Sequence, residues 1–216
     1  MFIIGITGGI GSGKTTVAKL LAEAGLPVIS ADKVSHAVTD VGGSAIPELA
    51  EVFGPDYIDD KGALKRQQTA DLVFQDRKSL EMLNRIVHQH VLMQIESELE
   101  RLETKGVQAV VLDVPIPVRH GFLDRCDVVY TVWTDDEIRL ERLSKRGLAR
   151  TEARRRIAAQ MTREEYREIA DGEIVNNGTV VELRQQIEEL MQHELKQRGI
   201  RFKSLLSTVD DEGVSC

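Results

Sequence analysis

The sequence is poor in several residue types, and each shortage removes a class of protein. Its two cysteines, Cys126 and Cys216, cannot build a disulfide framework, so a reducing, cytoplasmic setting is expected. Aromatic residues are 4% of the chain against 42% hydrophobic, which predicts a globular protein with an aliphatic core. Positive charge is outnumbered, 28 Lys and Arg against 35 Asp and Glu, and the net charge of −7 argues against a nucleic-acid partner. No apolar run approaches bilayer length, so no membrane partner is expected. The N-terminal apolar run stops at Thr7 without a basic flank or a cleavage site, and reads as a strand rather than a signal peptide. There are no internal repeats, and the length suits one domain with insertions or two small ones.

Glycine, by contrast, is concentrated near the start. The buried-strand pattern Phe2–Thr7 runs into Gly8-Gly9-Ile10-Gly11-Ser12-Gly13-Lys14-Thr15-Thr16, which fits the phosphate-loop motif from Gly8 to Thr15. Glycines let backbone N–H groups turn inward around a phosphate. Lys14 brings a mobile charge for the outer phosphates, and the Thr15 hydroxyl suits Mg²⁺. Val17, Leu20, Leu21 and Ala24 then follow helical spacing, presenting a helix N-terminus to the same anion. A flexible glycine-rich turn is the alternative, and the strand before with the amphipathic helix after argue against it.

Four further stretches read as strands: Pro27–Ser30, Gln108–Val114 and Asp127–Trp133, with Glu173–Gly178 as a last short strand and turn. Alternating with helices, they predict an α/β fold of the P-loop type, a five-stranded parallel sheet with helices on both faces. Two regions stand outside that alternation, a helical insertion at about 60–104 and an arginine-rich segment at about 139–167. Capping-box spacings at Thr134/Glu137 and Thr179/Glu182 each predict a helix start. The P-loop domain is expected to span 1–195, and the polar tail 196–216 to fray.

Ligands of an open α/β sheet bind beyond the carboxyl ends of its strands, where Thr7, Asp32, Val114 and Thr134 fall. Asp32 suits a base that takes a proton from an attacking hydroxyl, and equally suits N-capping a helix beginning near Val34. Asp113 suits a Walker B acid on the metal side, or a strand-end turn. Arg139, Arg142 and Arg146 share one helix face, and Arg142 and Arg146 are the candidates for triphosphate oxygens. Other arginines there are expected to be solvated or paired with Glu137, Glu141 and Glu152. His88 and His90 point to opposite sides of a helix and cannot chelate one ion; Cys126 reads as a small buried residue. Without an Asn-Lys-x-Asp motif, phosphoryl transfer to a small acceptor is the natural reading.

These stretches, together with Leu72-Val73-Phe74, Leu83–His88, Asp113-Val114-Pro115, Arg142–Arg146, Ala159-Gln160-Met161 and Ala170 through Gly178, resemble the dephospho-CoA kinase family. The resemblance implies ATP-dependent phosphorylation of the ribose 3′-hydroxyl of dephospho-CoA, with Asp32 as general base and Gly11, Ser12, Gly13, Lys14, Thr15 and Thr16 as the ATP-phosphate loop. It implies Mg²⁺ at Thr15, Arg142 and Arg146 on a lid, and Asn177 with Gly178 at the adenine. Thr7, Arg66 and His88, with Asp32, would lie on the acceptor side. The chain departs from the family pattern at Ser30, Gln89, Arg119 and Gly147, where aspartate, proline, glutamate and aspartate are usual. Another small nucleoside or nucleotide kinase, or a non-catalytic ATP-binding regulator, are the competing functions, and a monomer or small homo-oligomer is expected.

Overall fold

Short apolar runs bounded by glycine, proline or aspartate become strands, and the longer periodic stretches become helices. The computed structural model describes residues 1–114 and 121–206, so Pro115 to Arg119, and Cys216, lie outside the described residues. In chain order the elements are β1 (Phe2–Thr7), α1 (Lys14–Glu23), β2 (Val28–Ser30), α2 (Ala31–Val38), α3 (Ile46–Phe53), α4 (Arg66–Gln75) and α5 (Arg77–Thr104). They continue as β3 (Ala109–Asp113), β4 (Val128–Trp133), α6 (Asp136–Lys145), α7 (Arg150–Ala158), α8 (Arg163–Glu168), β5 (Gly172–Val175) and α9 (Val180–Glu194).

The five strands form one sheet in the order β2-β3-β1-β4-β5. β1 runs parallel to both neighbours, with Ile4 opposite Val111 on β3 and Val128 on β4, and β5 runs parallel to β4. Every residue of β3 is buried, as a strand covered on both faces requires. Ile4, Ile6, Val17, Leu21, Val111, Val132, Ile187 and Met191 lie in the main core, where β-branched residues suit the strands and leucines the helices.

The chain divides into two compact units: residues 30–105, and residues 1–29 with those from 106 onward. The unit at 30–105 begins well before the insertion expected at about 60–104, because α2 and α3 belong to it. Its long helix α5 buries Ile86, Val91, Ile95, Leu99 and Leu102, and Asp76 caps it by accepting from the N–H groups of Lys78 and Ser79. α3 is tied to α5 through His90, whose Nε2 lies 3.0 Å from Glu48 and whose Nδ1 lies 3.2 Å from Ser44.

Three local expectations need correction. The helix after β2 begins at Ala31 rather than near Val34, with no intervening loop. The Thr179/Glu182 capping box forms, but Thr134/Glu137 does not: Asp135 is the N-cap of α6, and the Thr134 hydroxyl is engaged elsewhere. The tail does not fray from Lys196. The Lys203 N–H donates to the Ala24 carbonyl at 2.8 Å, the Leu205 N–H donates to Glu188 at 2.8 Å, and Leu205 is buried in the main core. Ile200, Phe202 and Leu205 supply apolar area that average composition conceals, enough to order a polar stretch against the core. Residues 207–216 lie outside the described residues.

Candidate active site

The loop between β1 and α1 depends on backbone that only glycine adopts readily. Gly13 has φ 91°, and a Cβ there would run into the Asn176 side-chain amide. The Ser12 N–H donates to the Gly9 carbonyl at 3.2 Å and the Ile10 N–H to Gln160 Oε1 at 2.8 Å. Among the described residues, the N–H groups of Gly11, Gly13, Lys14 and Thr15 have no protein acceptor. Four unengaged donors at the start of a helix suit an anion. Thr16 closes it by donating to the Gly13 carbonyl at 2.8 Å.

Two basic layers surround the loop. Lys14, the first residue of α1, pairs through Nζ with Asp113 at the end of β3. Behind the loop, Arg139 is only 2% exposed and donates through Nε to the Ile10 carbonyl at 2.8 Å. It is held there by Asp136 at 3.1 Å, by Gln160 at 2.7 Å and by the Trp133 ring at 5.6 Å. Burial pulls its pKa down, opposed by Asp136. Arg142 donates to the Asn176 carbonyl at 2.9 Å and, at 3.3 Å, to that of Ser12. Burial, then the charge of neighbouring Arg146, lowers its pKa.

The remaining arginines of 139–167 are neutralised. Arg150 and Arg154 pair with Glu137, Arg155 and Arg156 with Glu152, and Arg163 and Arg167 with Glu173. Arg142 and Arg146 are the two without a carboxylate partner among the described residues. Two like charges left side by side offer a place for an anion.

Glu173 anchors α8 to β5, and its pair of guanidiniums holds its carboxyl down at about 2, Arg163 contributing most, against some desolvation. A carboxyl below its unfolded value of about 4.3 stabilises the fold above that pH and loses the contribution as pH falls through the folded value. Glu173→Gln should therefore flatten the loss of thermal stability between about pH 4.5 and about pH 2 and lower Tm at neutral pH. Thermal unfolding across that range checks it; an unchanged slope removes Glu173 from the acid response.

Metal chemistry fits the residues present. Mg²⁺ takes hard oxygen ligands, usually one or two side chains with phosphates and water completing the set. The exposed Thr15 hydroxyl and the Asp113 carboxylate are of that kind, and among the described residues no three His, Cys, Asp or Glu side chains cluster into a protein cage.

The other residues singled out are distributed as follows. Asn177 accepts the Asp135 N–H on its side-chain oxygen at 2.9 Å, with Gly178 exposed beside it. Thr7 is fully buried, opposite Thr131 on β4; both hydroxyls, and that of Ser12, are buried without a hydrogen-bond partner among the described residues. In the unit 30–105, Asp32 is exposed in the first turn of α2. Arg66 donates to Thr39 Oγ1 at 2.9 Å and to the His36 carbonyl at 3.3 Å, and His88 is half-buried on α5. Gly147, at φ 87°, ends α6 in the left-handed cap position, which accounts for glycine there. Cys126 is half-buried, and burial, with Asp127, Asp124 and Asp171, pushes its thiol up to about 12, which disfavours the thiolate.

Sequence reasoning missed Thr134, Asn176 and Gln160 as supports of the loop. Thr134 and Asn176 directly follow β4 and β5 at the ligand-binding edge of the sheet, the one signal that marks them.

A parallel sheet in this order, with a glycine loop opening onto α1 and a lysine at its head, defines a P-loop kinase. The family described as CoaE, dephospho-CoA kinase, matches residues 2–182. A dephospho-CoA kinase of Geobacillus kaustophilus is 40% identical over 185 residues, 85% of this chain and 92% of that protein. One of Carboxydothermus hydrogenoformans is 36% identical over 88% of this chain and 93% of its own length. Among solved structures, a Thermus thermophilus protein superposes with a TM-score of 0.74 at 34% identity, covering 89% of this chain and 97% of its own. The chain belongs to the dephospho-CoA kinase family and is a phosphotransferase.

Proposed function

We propose that the protein phosphorylates the ribose 3′-hydroxyl of dephospho-CoA with ATP, giving coenzyme A and ADP. The observation that carries this is the loop itself: four backbone donors without protein acceptors, headed by Lys14, in a member of that family. The reaction needs an in-line approach of the 3′-oxygen to the γ-phosphorus, and most of its rate comes from positioning and charge neutralisation. Asp32 accepts the hydroxyl proton. Ser30, not Asp32, is the N-cap of α2, so the competing structural role is not what occupies it. Within the loop Gly11 to Thr16, the N–H groups of Gly11, Gly13, Lys14 and Thr15 hold the phosphates, and Lys14 exchanges Asp113 for a phosphoryl oxygen as ATP arrives.

Arg142 and Arg146 supply positive charge to the triphosphate, a role supported by their lack of carboxylate partners. Asn177 and Gly178 border the adenine, while Thr7, Arg66 and His88 serve the acceptor side. Thr15, with Asp113, would hold Mg²⁺. The ion, when bound, neutralises β- and γ-phosphoryl oxygens. Measuring ADP release from ATP and Mg²⁺ with and without dephospho-CoA tests the reading. Strong stimulation by dephospho-CoA, with equimolar coenzyme A formed, is expected. Folded protein that binds ATP but is not stimulated would overturn it, and stimulation by a nucleoside or nucleotide instead would identify a different small-molecule kinase.

A further inference from the structure

A trans peptide points its C=O and its N–H to opposite sides, so whatever holds one fixes the direction of the other. Two peptides of the phosphate loop are held in this way from behind. The Ser12 carbonyl receives the Asn176 side-chain amide at 2.8 Å, lies 2.8 Å from the Thr134 hydroxyl, and takes a longer bond from Arg142 at 3.3 Å. The Ile10 carbonyl receives Arg139 at 2.8 Å. The N–H groups on the far sides of these peptides belong to Gly13 and Gly11, and neither has a protein acceptor among the described residues.

Glycine makes the anchoring necessary. With glycine following each carbonyl, the peptide plane can flip at little steric cost, and the chain itself does not choose an orientation. Buried side chains choose it. Asn176 is 7% exposed, Thr134 is fully buried and Arg139 is 2% exposed, so none is free to follow the loop if it turns.

We infer that Thr134, Asn176 and Arg139 are positioning residues that aim the Gly11 and Gly13 N–H groups at the phosphates of the nucleotide. The inference rests on the reading that this loop holds the donor's phosphates. It makes the loop a preorganised oxyanion site, in which reorganisation has been completed before the nucleotide arrives. Arg139 thereby acts on phosphate through the Ile10 peptide, not by touching it.

Thr134→Val, and Thr134→Val combined with Asn176→Leu, remove the neutral donors to Ser12. Calorimetry with ADP and with AMP provides the readout, beside the amide proton shift of Gly13 on adding ADP. The expected result is about a tenfold loss of ADP affinity with AMP affinity changed less than about twofold, and a smaller Gly13 shift. Thr134→Ser, which keeps the hydroxyl, should restore both. An unchanged ratio of ADP to AMP affinity in the folded variants, even with a lowered Tm, would overturn the inference by reducing these residues to structural supports. If the double variant does not fold, the single Thr134→Val decides. Wild-type protein that binds ADP no better than AMP would instead sink the phosphate-loop reading on which the inference rests.

Discussion

Exchanging Asp32 for asparagine should lower kcat by about two to four orders of magnitude, the usual worth of a general base, while ATP affinity stays within about twofold. Asparagine keeps the shape of aspartate and one acceptor oxygen, and loses the charge and the capacity to take a proton. The structural background makes the substitution clean. Ser30 is the N-cap of α2, with φ −101° and ψ 115°, and Asp32 lies beyond it in the first turn. A carboxylate there still interacts with the helix dipole, but that contribution is about 0.3–1 kcal/mol and affects folding rather than turnover. The two roles therefore separate in measurement. Steady-state kinetics with both substrates gives kcat, and equilibrium titration gives ATP affinity. A variant whose kcat stays within about threefold of wild type would remove proton acceptance from Asp32. A fall confined to the dephospho-CoA KM would make it a binding group only.

How far the molecule was legible depended on whether a feature is local. The five strands were legible because each is a short apolar run with breakers at both ends, and Gly8–Thr15 because its chemistry lies in consecutive residues. The partial neutralisation of the arginine-rich segment was legible too, since Arg155 and Arg156 meet Glu152 at helical spacing. The loop's supports were not. Thr134 lies 122 positions from Ser12, Asn176 lies 164 from it, and Gln160 lies 150 from Ile10. No spacing rule connects such residues; only the parallel sheet, bringing successive strand ends to one edge, does so. The same logic explains the Thr134/Glu137 capping box that does not form. The pattern describes what Thr134 does when nothing better is near, and the Ser12 and Asn176 carbonyls, at 2.8 and 3.0 Å, take its hydroxyl instead. The packed tail escaped for a related reason, because its apolar residues are dispersed and find their partners on α9 and at the end of α1.

Lys14→Met should lower kcat/KM by about two to three orders of magnitude, the range for losing one preorganised charge or donor at a phosphoryl site. The ion pair between Lys14 and Asp113 complicates its interpretation, since both side chains are nearly enclosed, at 12% and 11% exposure. Removing the lysine deletes a cation and also leaves a carboxylate without its partner, facing the phosphates. Either effect would weaken ATP binding, so the single variant cannot assign Lys14 to phosphate. The double variant with Asp113→Asn can. If Lys14 served only to neutralise Asp113, removing both charges would bring Lys14→Met/Asp113→Asn back to the level of Asp113→Asn alone. If Lys14 leaves Asp113 for the nucleotide, the double variant stays about a hundredfold below Asp113→Asn, because the loop has then lost the charge that Lys14 brings to the phosphates. Comparison of the two kcat/KM values under saturating Mg²⁺ decides between these outcomes. Agreement within about threefold would return Lys14 to a structural role. In the expected outcome the ion pair is a resting position, with Asp113 holding the ammonium beside the loop until a stronger anion displaces it.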